Sequence, residues 1–207
     1  MRDIIALVDM DGTIADYDGA MLRGLDALKD PSEPEYGHLP HGAFPAWIEA
    51  RRRVIALQPG FWRTLPRLPL GFAVVEMLET LEFVVSILTK GPSNKPAAWS
   101  EKVEWCREHL PGTQITITED KSNTYGRVLV DDWPPYFMGW LRHRPRGIVI
   151  VPAQPWNVDA ESLSPNIFRY DGTNPEVLRR ILEAVAARPT GEGINLAWVR
   201  SVAEARP

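Results

Sequence analysis

Four short apolar runs constrain this chain more than anything else in it. They are "IIALV" (4 to 8), "FVVSIL" (83 to 88), "RVLVD" (127 to 131) and "GIVIV" (147 to 151). Runs of this length, rich in β-branched residues and without polar alternation, are what strands buried on both faces require. "TQITIT" (113 to 118) alternates and reads as a short extra strand, and "NIFRYD" (166 to 171) as a last edge strand. Helical patterns lie between them. "LGFAVVEMLETLE" (70 to 82) has apolar residues at helical spacing, and "KPAAWSEKVEWCREHL" (95 to 110) places Pro96 where a helix tolerates it. "NPEVLRRILEAVAAR" (174 to 188) opens with an N-cap and N1 pair and stops before Pro189. Strands alternating with helices predict an α/β protein with a Rossmann-like, three-layer parallel-sheet core.

Residues 16 to 67 break the alternation. They contain no convincing strand and read as two helices, 17 to 29 and 44 to 57, joined by "DPSEPEYGHLPHG". This predicts a small helical cap inserted after the first strand. The expected organisation is a core of residues 1–15 and 68–188, a cap of 16–67 and a C-terminal tail of 189–207. The tail stretch "NLAWVRSVAEA" is weakly amphipathic. It suits docking on the body or on a partner chain, so a homodimer stays open.

A net charge of -4 and a pI near 5.6 supply no general attraction to polymeric nucleic acid or to an anionic membrane. The single cysteine, Cys106, excludes an internal disulfide framework, fits a reducing compartment and reads as a partly buried helix residue. The first apolar run is short and ends at Asp9, so no signal peptide is expected; no run reaches a membrane span, and a cytoplasmic protein is expected. His38 and His41 lack the cysteines that usually accompany a zinc site. Arg51-Arg52-Arg53 and "RHRPR" (142 to 146) read as solvated faces, and Trp47, Trp99 and Trp105 as packing.

The chemistry-bearing residues stand at the strand ends, where open parallel sheets bind ligands. Asp9 and Asp11 follow the first run in "LVDMDGTIADY", Thr89 and Lys90 follow the second, Lys121 precedes the third, and Asp131 and Asp132 close it. Four carboxylates cannot crowd together uncompensated, since like charges raise one another's pKa. A hard divalent cation such as Mg2+ resolves that conflict with oxygen ligands. A hydroxyl and an ammonium beside it make an anion site suited to phosphate. An aspartate can attack phosphorus, and a second one two residues on can handle protons. Gly12 gives the turn the freedom to bring Asp11 round.

"DMDGT", Thr89, Lys121 and Asp131-Asp132 resemble, in order, the four motifs of the haloacid dehalogenase superfamily of phosphotransferases. The resemblance spans residues 4 to 152. "VDMDGTIADY", "PGFWRTLPRLPLG" and "EDKSNTYGRVLVDDWPPY" are similar to the 5'(3')-deoxyribonucleotidase branch. Trp133 stands where that family has arginine after the aspartate pair, and Lys90 where it has serine after the threonine. The resemblance implies Asp9 as nucleophile, Asp11 as general acid and then base, and Thr89 and Lys121 on the phosphoryl oxygens. Mg2+ would be held by Asp9, the Asp11 backbone carbonyl and Asp132, with Asp131 in support. Gly12 would keep the loop close enough for backbone N–H groups to reach the phosphoryl oxygens. Tyr17 falls on the family's base-contacting aromatic, and Phe61 and Trp62 are further stacking candidates.

The expected activity is Mg2+-dependent hydrolysis of (deoxy)nucleoside monophosphates through an aspartyl-phosphate. The alternatives are a phosphatase of the same fold for another small phosphomonoester or a nucleic-acid 3'-phosphate end, and a non-catalytic binding module.

Overall fold

The computed structural model describes residues 4–33, 44–188 and 192–204. Six strands, β1 (Ile5–Val8), β2 (Val84–Lys90), β3 (Gln114–Thr118), β4 (Val128–Val130), β5 (Ile148–Pro152) and β6 (Ile167–Tyr170), form one sheet. Their order is β3-β2-β1-β4-β5-β6 and every pairing is parallel. The chain builds outward from β1 to β3, then crosses back to start β4 on the other side of β1. The β1/β4 junction is therefore the topological switch point, where the strand ends splay into a crevice.

Among the described residues seven helices accompany the sheet: α1 (Tyr17–Ala27), α2 (Ala46–Ala56), α3 (Pro69–Thr80), α4 (Pro96–His109), α5 (Pro134–His143), α6 (Pro175–Ala187) and α7 (Leu196–Glu204). α3 to α6 each carry proline in the first turn, where the missing N–H costs no hydrogen bond. The period-two alternation of the strands divides the core. Ala6, Val8, Ile87, Val128, Val130, Ile148 and Ile150 share one buried cluster with α3, α4 and α6. Leu7, Leu88, Leu129, Val149 and Val151 face the other way and pack on Phe137, Trp140 and Leu141 of α5. α1 and α2 lie between β1 and β2 in sequence. Their buried Met21, Leu25, Ile48 and Ile55 join the first cluster.

The extra strand expected at 113 to 118 and the edge strand expected at 166 to 171 are both present, and they form the two edges of the sheet. The helices start or stop within one or two residues of the expected bounds, as fraying ends do. α5 was not anticipated. The predicted tail stretch settles on the body: Leu196 and Val199 of α7 are buried in the main cluster, and Arg200 bonds Glu161 at 2.6 Å.

Four expectations are corrected. Arg51 and Arg52 are not a solvated face: Arg51 makes a two-pronged pair with Glu33 at 2.6 and 2.8 Å, and Arg52 bonds Glu49 at 3.0 Å. Arg144 of the second basic run donates to the Ser122 carbonyl at 2.5 Å. Trp47 is 47% exposed rather than packed, with the Arg51 guanidinium over its ring. Cys106 is fully buried, and burial pushes its thiol up to about 12, so it holds a proton at neutral pH. His38, His41 and most of the link between α1 and α2 lie outside the described residues. Among the described residues no helix is long and apolar enough to cross a membrane.

Candidate active site

Strand register builds the first half of the site. Val8, the last residue of β1, is level with Val130, the last of β4. Asp9 and Asp131 thus leave neighbouring strands side by side. Their N–H groups continue the ladder, Asp9 to the Val130 carbonyl at 2.8 Å and Asp131 to Ile150 at 3.2 Å. Lys121 stands in a short 3-10 turn, Lys121–Asn123, in which the Ser122 N–H is capped by the Asp120 side chain. Its buried ammonium lies 2.6 Å from Asp9 Oδ2 and 2.7 Å from Asp131 Oδ2. Burial opposes that charge, but Asp131 and Asp9 outweigh it and raise the lysine's pKa.

Asp132 is braced from both sides. Its carboxylate accepts from Thr13 Oγ1 at 2.7 Å and from the Trp156 indole at 3.0 Å. Its carbonyl accepts from Asn157 at 3.1 Å. Gln154 on the same loop donates to the Gly12 carbonyl at 2.7 Å. Gly12 has φ +76°, and a Cβ there would meet Asp132 Oδ2 at 2.5 Å. The glycine is thus required twice, by its left-handed backbone and by the carboxylate against it. Its own N–H is bonded within the turn to Ala15, so it is not free for a substrate oxygen. Among the described residues, no backbone carbonyl accepts from the N–H groups of Met10 and Asp11.

Asp9, Asp131 and Asp132 bring ligand oxygens within 4.8 Å of one another. One ammonium cannot balance three carboxylates. Burial, with Asp131 and Asp9 adding repulsion, lifts Asp132 well above the usual carboxylate range. Burial likewise lifts Asp131 to about 6, against the pull of Lys121. A buried all-oxygen set short of positive charge fits a hard divalent cation such as Mg2+. The Asp11 carboxylate lies apart from that triad.

Lys102, on α4, completes the second half. Sequence reading missed it. It is 1% exposed, and its ammonium bonds Asp11 Oδ2, Thr89 Oγ1 at 3.1 Å and the Lys90 carbonyl at 2.7 Å. Thr89 is fully buried behind it. Asp11 Oδ1 is buried with no hydrogen-bond partner among the described residues. Burial raises the pKa of Asp11, Lys102 opposes the rise, and Asp9 adds to it. A carboxyl with one tethered oxygen and one free oxygen can carry a proton to a group in front of it.

A cavity of about 410 Å³ opens over these groups. Asp9, Asp11, Lys102 and Asp132 form its floor, and Tyr17, Trp62, Trp133 and Tyr136 give it aromatic walls. Tyr17 stacks on Trp62, with ring centroids 5.1 Å apart and planes 20° apart. Phe61 meets both rings edge-on and supports them from outside the residues that line the cavity. Lys90 and Lys95 line the same space.

Asp18, also at the wall, is raised to about 6 from 3.8 by burial, with Arg52 opposing and Asp11 adding to the rise. A carboxyl raised on folding contributes most below its unfolded pKa, and stability falls as pH rises from 3.8 to about 6. Asp18→Asn removes that loss. Its melting temperature should exceed the parent's above pH ~6 and match it below pH ~4, since the linkage acts only between the two pKa values. A constant offset at every pH would show that ionisation of Asp18 is not the cause.

The family model described as "5' nucleotidase, deoxy (Pyrimidine), cytosolic type C protein" matches residues 2–164. The chain belongs to this deoxyribonucleotidase family. A relative, the 5'(3')-deoxyribonucleotidase, cytosolic type, of Homo sapiens, is 32% identical over 149 residues, 63% of this chain and 71% of the relative. Among solved structures, a haloacid dehalogenase-like hydrolase from Burkholderia xenovorans LB400 superposes with a TM-score of 0.51 at 16% identity, covering 90% of this chain and 98% of that one. A dehalogenase superposes with a TM-score of 0.51 at 12% identity, covering 90% and 99%. At such identities these two speak for the fold. This member of the family is a phosphatase built on the haloacid dehalogenase core.

Proposed function

We propose that the protein is a Mg2+-dependent phosphomonoesterase that hydrolyses (deoxy)nucleoside monophosphates in the cytoplasm through an aspartyl-phosphate on Asp9. The observation that carries this reading is the division of labour between two lysine-tethered carboxylates. Asp9 is held by Lys121 beside the acidic pair. Asp11 is held by Lys102 with one oxygen free.

Asp9 attacks phosphorus and the P–O bond to the sugar breaks. Asp11, its pKa raised, gives its proton to the departing sugar oxygen. As a carboxylate it then takes a proton from the water that attacks the acyl phosphate, releasing inorganic phosphate and freeing Asp9. Lys121 and Lys102 stand where phosphoryl oxygens need cations, and Thr89 holds Lys102 in position. Asp9, Asp131 and Asp132, with the Asp11 carbonyl, would hold Mg2+, which would supply neutralisation of the negative charge that gathers in the site. The base would lie against Tyr17 and Trp62 under the helical cap.

A phosphate-release screen tests the reading directly. Nucleoside monophosphates should outrun sugar phosphates and 3'-phosphorylated oligonucleotides, and chelator should stop turnover. Activity on sugar phosphates alone would assign the site to another small phosphomonoester.

Tyr17 reports on the base. Aromatic stacking on a base is worth ~1–3 kcal/mol, so Tyr17→Ala should raise KM for nucleotides roughly tenfold. A small baseless phosphate should be almost unaffected, and Tyr17→Phe should keep most of the affinity. Equal damage to both substrates would make Tyr17 a support for Trp62 rather than a base contact.

A further inference from the structure

The phosphoryl site already has two buried cations, Lys121 and Lys102, each bonded to a carboxylate. The cavity holds two more. Lys90 ends β2, Lys95 precedes α4, and both line the same space. Neither ammonium is bonded to a carboxylate among the described residues. The Lys90 ammonium lies 4.9 Å from the centre of the Tyr136 ring, a contact that keeps it beside the cavity without neutralising it.

Lys95 stands in a positive field. Partial burial lowers its pKa, and Arg52 and Arg53 of α2 lower it further, against Glu49. Lys90 and Lys95 thus stand at the two ends of the loop 91–94, both on the cavity. Two ammonium groups that face one cavity are stabilised by an anion between them. One phosphomonoester places its dianion at Asp9 between Lys121 and Lys102, and leaves Lys90 and Lys95 with no anion bonded to them.

We propose that Lys90 and Lys95 form a second anion subsite, and that the preferred substrate is a phosphomonoester bearing a second phosphate, such as a nucleoside 3',5'-bisphosphate. The proposal deepens the nucleotidase reading and takes its phosphoryl site from it. One phosphate is cleaved at Asp9 and the other is held by the two lysines.

The test compares four ligands on the full chain: a deoxynucleoside monophosphate, its 3',5'-bisphosphate, a hexose monophosphate and a hexose bisphosphate. Binding is measured by calorimetry on the Asp9→Asn variant, which does not turn over, and kcat/KM on the parent. The bisphosphate should be favoured over the matching monophosphate by tenfold or more in both. Lys95→Ala should bring that ratio down several-fold, and Lys90→Ser together with Lys95→Ala should bring it near one. A preference that appears only between the two hexose phosphates upholds the second subsite and removes the nucleotide assignment. A ratio near one on the parent, with nucleoside monophosphate still hydrolysed, overturns the subsite and leaves the nucleotidase reading standing. A ratio unchanged by the double substitution also overturns it.

Discussion

Asp9→Asn is expected to lower kcat by on the order of 10⁴-fold or more, the scale seen when a covalent nucleophile is removed. The side chain is nearly isosteric, and Lys121 retains its 2.7 Å bond to Asp131. The fold should therefore survive, with a circular dichroism spectrum like the parent's. Substrate binding should persist, because Lys102, Lys121 and the aromatic walls are untouched. The loss should fall on kcat and not on KM. Asparagine at position 9 with more than a few per cent of parental turnover would remove Asp9 from the role of nucleophile.

Lys121→Met should have the largest effect on stability. The ammonium is buried between Asp9 and Asp131, and deleting it leaves three carboxylates facing one another. Removing one partner of a buried charge pair costs ~3–5 kcal/mol. Denaturant midpoints in chelator should show a loss of that order. Mg2+ should recover part of it, since a ligand that binds only the folded chain stabilises by mass action. Turnover should fall by ~10²–10³-fold even with Mg2+ in excess, as expected when one charge-stabilising donor is lost. A variant as stable as the parent in chelator would mean that the acids are not mutually repelling.

The fold was legible in the sequence because both of its signals are strong. Buried parallel strands appear as unbroken apolar runs, and the helices between them keep their period. α5 escaped because "WPPYFMGWLRH" opens on two prolines and contains a glycine. Its signal was Phe137, Trp140 and Leu141 at helical spacing, all buried on one face of the sheet. The site residues at the strand ends were legible because acids that end apolar runs are unusual. Lys102 was not, since a lysine within "SEKVEW" resembles any solvated helix position. Its periodicity gives it away: it lies four residues after Ala98 and three before Trp105, on the buried face of α4. A lysine on an apolar stripe needs a partner, and Asp11 is that partner. Gln154, Trp156 and Asn157 had no such signal. Only the closing of the β5–β6 loop over Asp132 and Gly12 shows what they hold. The same limit applied to Gly12. The sequence indicated a tight turn there, but not that the glycine's N–H would be spent on Ala15.

The central claim is that phosphate passes through Asp9. Acid quenching during turnover of a nucleotide, followed by digestion and mass spectrometry of the segment that contains residues 4–16, tests it most directly. The parent should carry one phosphoryl group on Asp9, and Asp9→Asn none. Asp11→Asn should accumulate the adduct when nitrophenyl phosphate is the substrate, because that leaving group needs no proton while hydrolysis of the acyl phosphate still needs a base. Turnover with no adduct on Asp9 in either the parent or Asp11→Asn, or an adduct on another residue, would contradict the account.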